Sequence, residues 1–229
     1  MVGGAPAMAD DIASRLAAVR ARIAEAARDA GRTPESVTLV AVSKTHPAAA
    51  IERAIAAGQR VFGENRVQEA AAKYPALRAR HPGIELRLIG HLQSNKAEQA
   101  VALFDVIETI DSARLARAVA KAVERGKSRP RCLIQVNTGR EPQKSGIEAE
   151  QAEGLVRLCR DELGLAVEGL MCIPPLTDDP APHFRMLAAL ARRLGLGALS
   201  MGMSADYPAA IKAGATHVRV GTAIFGARS

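Results

Sequence analysis

The chain has 229 residues, of which 48% are hydrophobic, 24% charged and only 3% aromatic, and its net charge is +7. That balance is ordinary for a soluble globular protein of one or two domains, with a core built from Ala, Val, Leu and Ile. The positive charge is scattered along predicted helices, and its densest run, Arg125 to Arg131, lacks aromatics for stacking bases, so a solvated basic face is preferred to a nucleic-acid surface.

Residues 1–9 have neither a basic run nor an apolar stretch, so they read as a frayed tail and not a signal peptide. Asp10 or Asp11 then caps a first helix, with Ile12, Leu16, Val19 and Ile23 on one face and Gly31 as its stop. Val37 to Lys44 is the first strand, a run of apolar and β-branched residues that suits burial on both faces and ends on a lysine. Pro47 opens a helix through Ala57, and Gly58 closes it. Strands follow at Arg60–Glu64, Glu85–Gly90, Phe104–Ile110 and Arg131–Asn137, with helices from Asn65 to near Arg80, after Lys96, and from Ser112 to Glu124. Thr138 to Gly146 is polar, the longest irregular stretch and a candidate lid. The remaining pattern is a helix from Glu148 to Leu163, a strand Ala166–Ile173, a helix Pro182–Leu194, a strand Leu199–Gly202, a helix Ala205–Ala213 and a strand His217–Gly221. Thr222 to Ser229 leaves room for a short turn or strand.

Strand and helix thus alternate eight times without a linker. One (β/α)8 barrel over residues 1–229, with an extra N-terminal helix, fits this order. An open doubly wound sheet is the alternative, weakened because no G-x-G-x-x-G follows the first strand and no Walker sequence occurs. The three cysteines are far apart and form no C-x-x-C pair, and the five histidines have no metal-binding spacing, so a disulfide framework and a zinc site are both disfavoured. No stretch approaches the length of a membrane span, and a reducing cytoplasm is expected.

In a barrel, binding and catalytic groups gather at the C-terminal ends of the strands. The first strand ends at Lys44, whose amine, neutral in apolar surroundings, can attack an aldehyde to form a Schiff base; the competing reading is a surface lysine opening a loop. After the seventh strand, Ser200-Met-Gly202 leads to Ser204, a plausible helix N-cap, and Gly221-Thr222 follow the eighth. Backbone N–H groups at such a place cradle a phosphate, although an ordinary cap and turn would look the same. Arg219 lies between Val218 and Val220, so alternation turns it inward with Gly221. It then needs a partner: a ligand's ring nitrogen, or an acid such as Glu64 or Glu168 in a structural ion pair. An aldehyde-reactive lysine, an anion cradle and an inward arginine together point to pyridoxal 5′-phosphate. Arginine at the ring nitrogen leaves it unprotonated, which weakens the ring as an electron sink.

Val40-Ala-Val-Ser-Lys-Thr45, Phe62-Gly-Glu-Asn-Arg-Val-Gln-Glu69, Leu88-Ile-Gly-His-Leu-Gln-Ser-Asn-Lys96, Gln135-Val-Asn-Thr138, Lys144-Ser-Gly146, Leu199-Ser-Met-Gly-Met-Ser204 and Val218-Arg-Val-Gly-Thr-Ala-Ile-Phe-Gly226 occur in order along the chain. On these stretches the sequence closely resembles the YggS/PROSC family of pyridoxal phosphate homeostasis proteins. The resemblance implies a barrel like the N-terminal domain of alanine racemase, usually monomeric, with the cofactor on Lys44 and Arg219 at its ring nitrogen. It further implies phosphate near Ser200, Gly202, Gly221 and Thr222, with Asn65 and Asn137 close by. The implied role is a non-catalytic carrier and regulator of the cofactor and of amino-acid balance, with cofactor-dependent apoenzymes as recipients.

The alternative is a small amino-acid racemase, which needs a second base beyond the lysine. The only tyrosines are Tyr74, inside a helix, and Tyr207, at a helix start, and neither is well placed for that work. A basic RNA-binding module ranks last, for want of aromatics and a recognition motif. His46, next but one to Lys44, either tunes the lysine or caps the following helix, with the cap preferred.

Overall fold

A computed structural model describes residues 9–226. The expected tail over residues 1–9 lies outside them, except that Ala9 opens the first helix. This helix, α1 (Ala9–Asp29), starts ahead of Asp10 and Asp11, so neither aspartate is its cap. It buries Ile12, Leu16, Val19 and Ile23, the expected face, together with Ala27.

Eight parallel strands close into one barrel in sequence order. They are β1 (Thr38–Val42), β2 (Val61–Glu64), β3 (Glu85–Leu88), β4 (Val106–Ile110), β5 (Arg131–Val136), β6 (Val167–Cys172), β7 (Ala198–Met203) and β8 (His217–Val220). β8 returns to β1, with Thr38 opposite His217 and Val40 opposite Arg219. The intervening helices are α2 (Ala48–Ala56), α3 (Val67–Arg80), α4 (Ala97–Leu103), α5 (Ala113–Arg125), α6 (Ala152–Arg157), α7 (Pro180–Arg193) and α8 (Tyr207–Lys212). The expected helix over 148–163 is α6 flanked by a 3-10 turn and a π turn, and the C-terminal segment is a single helical turn, α9 (Thr222–Phe225).

Alternation divides the strand side chains between two cores. Leu39, Ala41, Phe62, Leu86, Leu88, Val218 and Val220 face outward and pack with helix residues such as Leu16, Ile51, Leu77, Val119 and Phe184. Burying each of the Val, Leu, Ile and Phe side chains among them contributes about 1.5–3 kcal/mol. Inside the barrel lies a small apolar cluster of Val106, Leu133 and Met171. The charged residues Arg87, Glu108 and Arg219 are buried as well. Arg87 stands between outward Leu86 and Leu88, and Arg219 between outward Val218 and Val220, so alternation turns both inward, and Glu108 follows outward Ile107. The strand ends, where the βα turns leave the barrel, form the mouth at which the site lies.

Candidate functional site at the barrel mouth

A cleft of about 320 Å³ opens at the C-terminal ends of the strands. Val42, Ile89 and Ile173 supply apolar wall, and Lys44, Asn65, Ser204, Arg219, Gly221 and Thr222 supply polar groups. Six of the nine residues singled out from the sequence thus meet in one cavity. Asn137, Ser200 and Gly202 are not among the lining residues.

Lys44 stands two residues beyond β1, in a turn and not at the end of the strand as expected. It is half-buried and follows Ser43, which is fully buried. Thr45 continues the turn with φ at 66°, a left-handed conformation uncommon for a β-branched residue. His46 lines the same cleft and stacks on Phe225 with ring centroids 5.0 Å apart. The cap position of α2 belongs to Pro47, so His46 does not cap that helix.

Arg219 faces the barrel interior, as its alternation required. Its guanidinium donates to the carbonyl of Cys172 at 2.8 Å and to Ser200 Oγ at 2.7 Å. Ser200 Oγ in turn donates to Glu108 Oε2 at 2.5 Å, and that carboxylate lies 4.0 Å from the guanidinium. The acid facing Arg219 is therefore Glu108, not Glu64 or Glu168. Glu64 points out of the barrel, where it pairs with Lys73 at 2.7 Å and accepts from Ser43 Oγ at 2.8 Å. Burial pushes its carboxyl above the usual range, against those two bonds. Glu168 lies 3.6 Å from Arg131, on a partly exposed surface. Arg87 Nε approaches Glu108 Oε1 at 2.7 Å, an ion pair that falls short of an aligned hydrogen bond.

Each of the three residues outside the cleft has its own task. Ser200 is fully buried and links Arg219 to Glu108. Gly202 has φ at 90°, and a Cβ there would come within 2.5 Å of Ala210 Cβ; the glycine lets β7 pack against α8. Asn137 folds back on the loop after β5, donating to Glu141 O at 2.8 Å and accepting from Glu141 N at 3.2 Å. The same loop is tied by Lys144, which pairs with Glu141 at 2.5 Å and donates to Pro174 O at 3.3 Å. It is laced to the mouth and does not hang over it as an open flap.

Ser204 is not the expected N-cap, because α8 starts only at Tyr207, behind Asp206. Its hydroxyl instead accepts from Gly221 N–H at 3.4 Å, which brings the turns after β7 and β8 together. Gly221 also lies against β1, where an added Cβ would stand 3.1 Å from Val42 O. Thr222 and Ala223 begin α9, and the first N–H groups of a helical turn have no partner within it. This rim can therefore take an anion, while Lys44 supplies an amine and Arg219 a fixed cation. Neither tyrosine lines the cleft. Tyr74 is buried beside Ser43, 2.7 Å from its hydroxyl, with burial and then Glu64 raising its phenol. Tyr207 packs beneath Arg22.

Glu108 was missed by sequence reasoning. Its signal was a charge in the middle of an otherwise apolar strand, the same signal that marked Arg219. No group of His, Cys, Asp or Glu among the described residues could hold a metal ion. No helix among them is long and apolar enough to cross a membrane.

Residues 14–229 match the alanine racemase N-terminal domain family. The pyridoxal phosphate homeostasis protein of Escherichia coli K12 is 42% identical over 233 residues, spanning 96% of this chain and 97% of that one. The structure of PipY from Synechococcus elongatus with pyridoxal phosphate bound superposes with a TM-score of 0.81 at 40% identity, covering 94% of this chain and all of PipY. Alanine racemase from Corynebacterium glutamicum shares the fold, at a TM-score of 0.65 and 22% identity, over 94% of this chain and 60% of the racemase.

Proposed function

The chain belongs to the alanine racemase N-terminal domain family and, within it, to the pyridoxal phosphate homeostasis proteins, and from that premise we propose that it binds pyridoxal 5′-phosphate at the barrel mouth as a carrier and regulator, not as an enzyme. The observation that carries this reading is the meeting of Lys44, Arg219 and the Ser204–Gly221–Thr222 rim in one cleft. At about 320 Å³ the cleft is at the small end of ligand sites, which suits a single-ring ligand.

Bound pyridoxal phosphate supplies an aldehyde and an electron-withdrawing ring. Lys44, which lines the cleft, would be the amine that holds the aldehyde end of the group. Arg219, held by Ser200 Oγ and the carbonyl of Cys172, would face the ring nitrogen. A guanidinium does not give up its proton near neutral pH, so a ring nitrogen placed there would stay unprotonated and the ring's electron-withdrawing power would stay low. Ser204, Gly221 and Thr222 would hold the phosphate, and Asn65, which lines the same cleft, would stand near the ring. Ser200, Gly202 and Asn137 support the site from behind, by holding Arg219, β7 and the adjoining loop.

Neither tyrosine lines the cleft, so neither supports the second base of a racemase. A cleft that no tyrosine lines supports retention and release over a racemase that works through a tyrosine base. In this reading the chain is one barrel domain, works as a monomer in the cytoplasm, and hands the cofactor to apoenzymes that depend on it. The test is to load the protein, remove free ligand, and mix it with a pyridoxal-phosphate-dependent apoenzyme. Recovery of that enzyme's activity, without alanine racemisation by the loaded protein itself, is the expected result. Racemisation of alanine that disappears in Lys44→Ala would overturn the carrier assignment.

A further inference from the structure

We propose that Lys73, acting with Glu69 and Glu64, is a positioning residue that sets the turn carrying Lys44; the inference rests on Lys44 being the amine that holds the cofactor. Lys73 lies on α3 and reaches back to the β1–α2 turn. Its ammonium donates to the carbonyl of Ser43 at 3.1 Å and to that of His46 at 3.3 Å. These two carbonyls bracket Lys44 and Thr45. The same nitrogen contacts Glu64 Oε1 at 2.7 Å and Glu69 Oε1 at 2.9 Å. An ammonium has three N–H donors, so four acceptors use all of them.

Glu69 completes the clamp by accepting the Thr45 N–H at 2.5 Å. Burial disfavours its charge, but the bonds from Lys73 and Thr45 outweigh that and hold its carboxyl below the usual range. Glu64 is fully buried and accepts from Ser43 Oγ, which also meets the Tyr74 hydroxyl at 2.7 Å. Polar groups of Ser43, Thr45 and His46 are thus tied to α3 on both sides of Lys44. The turn needs such tying, because Thr45 sits at positive φ, where a β-branched residue does not settle unaided. An ordinary structural ion pair has no reason to converge on the backbone of one turn. Lys73 is absent from the cleft lining, so it acts through the turn and not on the ligand.

The test compares Lys73→Met, Glu69→Ala and Glu69→Gln with the parent protein. Pyridoxal phosphate is added to the stripped proteins, and the growth of the visible absorption band is timed, with thermal melts alongside. Small displacements of a reacting group can cost up to about a hundredfold, so Lys73→Met is expected to slow the band about tenfold. Glu69→Ala should slow it about threefold, and Glu69→Gln, which keeps an acceptor for Thr45 N–H, should restore the rate to roughly within twofold of the parent. A folded Lys73→Met with the parent's rate would overturn the proposal. If Lys73→Met does not fold, the Glu69 pair decides: slow Ala with restored Gln supports the clamp, and equal rates refute it. A parent protein that develops no band would instead remove the reading of Lys44, and the clamp with it.

Discussion

Replacing Glu108 by Gln removes the buried carboxylate that Arg87 and Arg219 share, and leaves Arg87 only the more distant Glu85 at 3.5 Å. Arg87, Glu108 and Arg219 are 1%, 0% and 3% exposed, so water cannot take over the lost charge. The ion pair to Arg87 at 2.7 Å is lost, and the carboxylate that Ser200 links to Arg219 becomes a neutral amide. Breaking one partner of a buried ion pair typically costs about 3–5 kcal/mol. In a chain of this size each kcal/mol is worth roughly 2–4 °C in the melting midpoint, so a fall of about 6–20 °C is expected. Urea unfolding followed by circular dichroism reads the same loss as a lower midpoint at an unchanged m-value. Adding Arg87→Met to Glu108→Gln should cost less than the two single losses summed, because it removes one of the two cations that lose Glu108. A Glu108→Gln protein within about 1 kcal/mol of the parent would show that Glu108 is not the counter-charge of the interior, and would refute this account of Arg219.

His217 is half-buried beside the positive Arg87, Arg131 and Arg219, and desolvation followed by those charges holds its imidazole down to about 3 from the usual 6.5. The unfolded chain therefore takes up a proton that the folded one refuses; the stability is complete above pH 6.5 and is lost as pH falls towards 3. His217→Gln should flatten the stability–pH curve in that window by up to about 1.4 kcal/mol per pH unit, and parallel curves for the two proteins would contradict this. Because burial raises Glu64 and so acts with the opposite sign, the difference between the two proteins is the quantity to read. Cys132, Cys159 and Cys172 are buried, each thiol pushed up to about 12 chiefly by that burial; a thiol-reactive disulfide should label the native protein negligibly and all three thiols after denaturation. Gly221→Ala forces a Cβ to 3.1 Å from Val42 O and should push the turn after β8 off β1, weakening pyridoxal phosphate binding about tenfold in a spectroscopic titration while the melt changes little.

The order of strands and helices was legible because β-branched runs and Gly or Pro stops punctuate the chain at every β/α unit. Alternation in Val218-Arg-Val220 was enough to turn Arg219 inward, and the run before Lys44 was enough to bring that residue to the mouth. What alternation cannot say is which other strand's charge lies opposite. Glu108 and Arg219 are far apart in sequence, and Glu64, which looked equally available, falls on the outward side of β2 beside Tyr74. Ser204 read as a cap because its side chain is right for one; the chain instead runs on to Asp206, whose Oδ1 accepts from Met203 N–H at 2.6 Å, before α8 begins. The four residues of α9 are too few for a helical period to be seen. The polar loop over 138–146 read as a lid from its composition, whereas the bonds that lace it run largely to backbone carbonyls, which a sequence does not display. Lys73 was passed over for a similar reason: beside Glu64 and Glu69, its partners are carbonyls of a turn that only the fold brings to it.

The most direct test of the central claim is to record the visible absorption of the purified protein, with and without added pyridoxal phosphate, then reduce it with borohydride and map the labelled peptide. The account predicts an absorption band that borohydride abolishes and a single label on Lys44, absent from that peptide in Lys44→Ala. A protein that binds no pyridoxal phosphate, or that carries the label elsewhere while Lys44 remains unmodified, would contradict it.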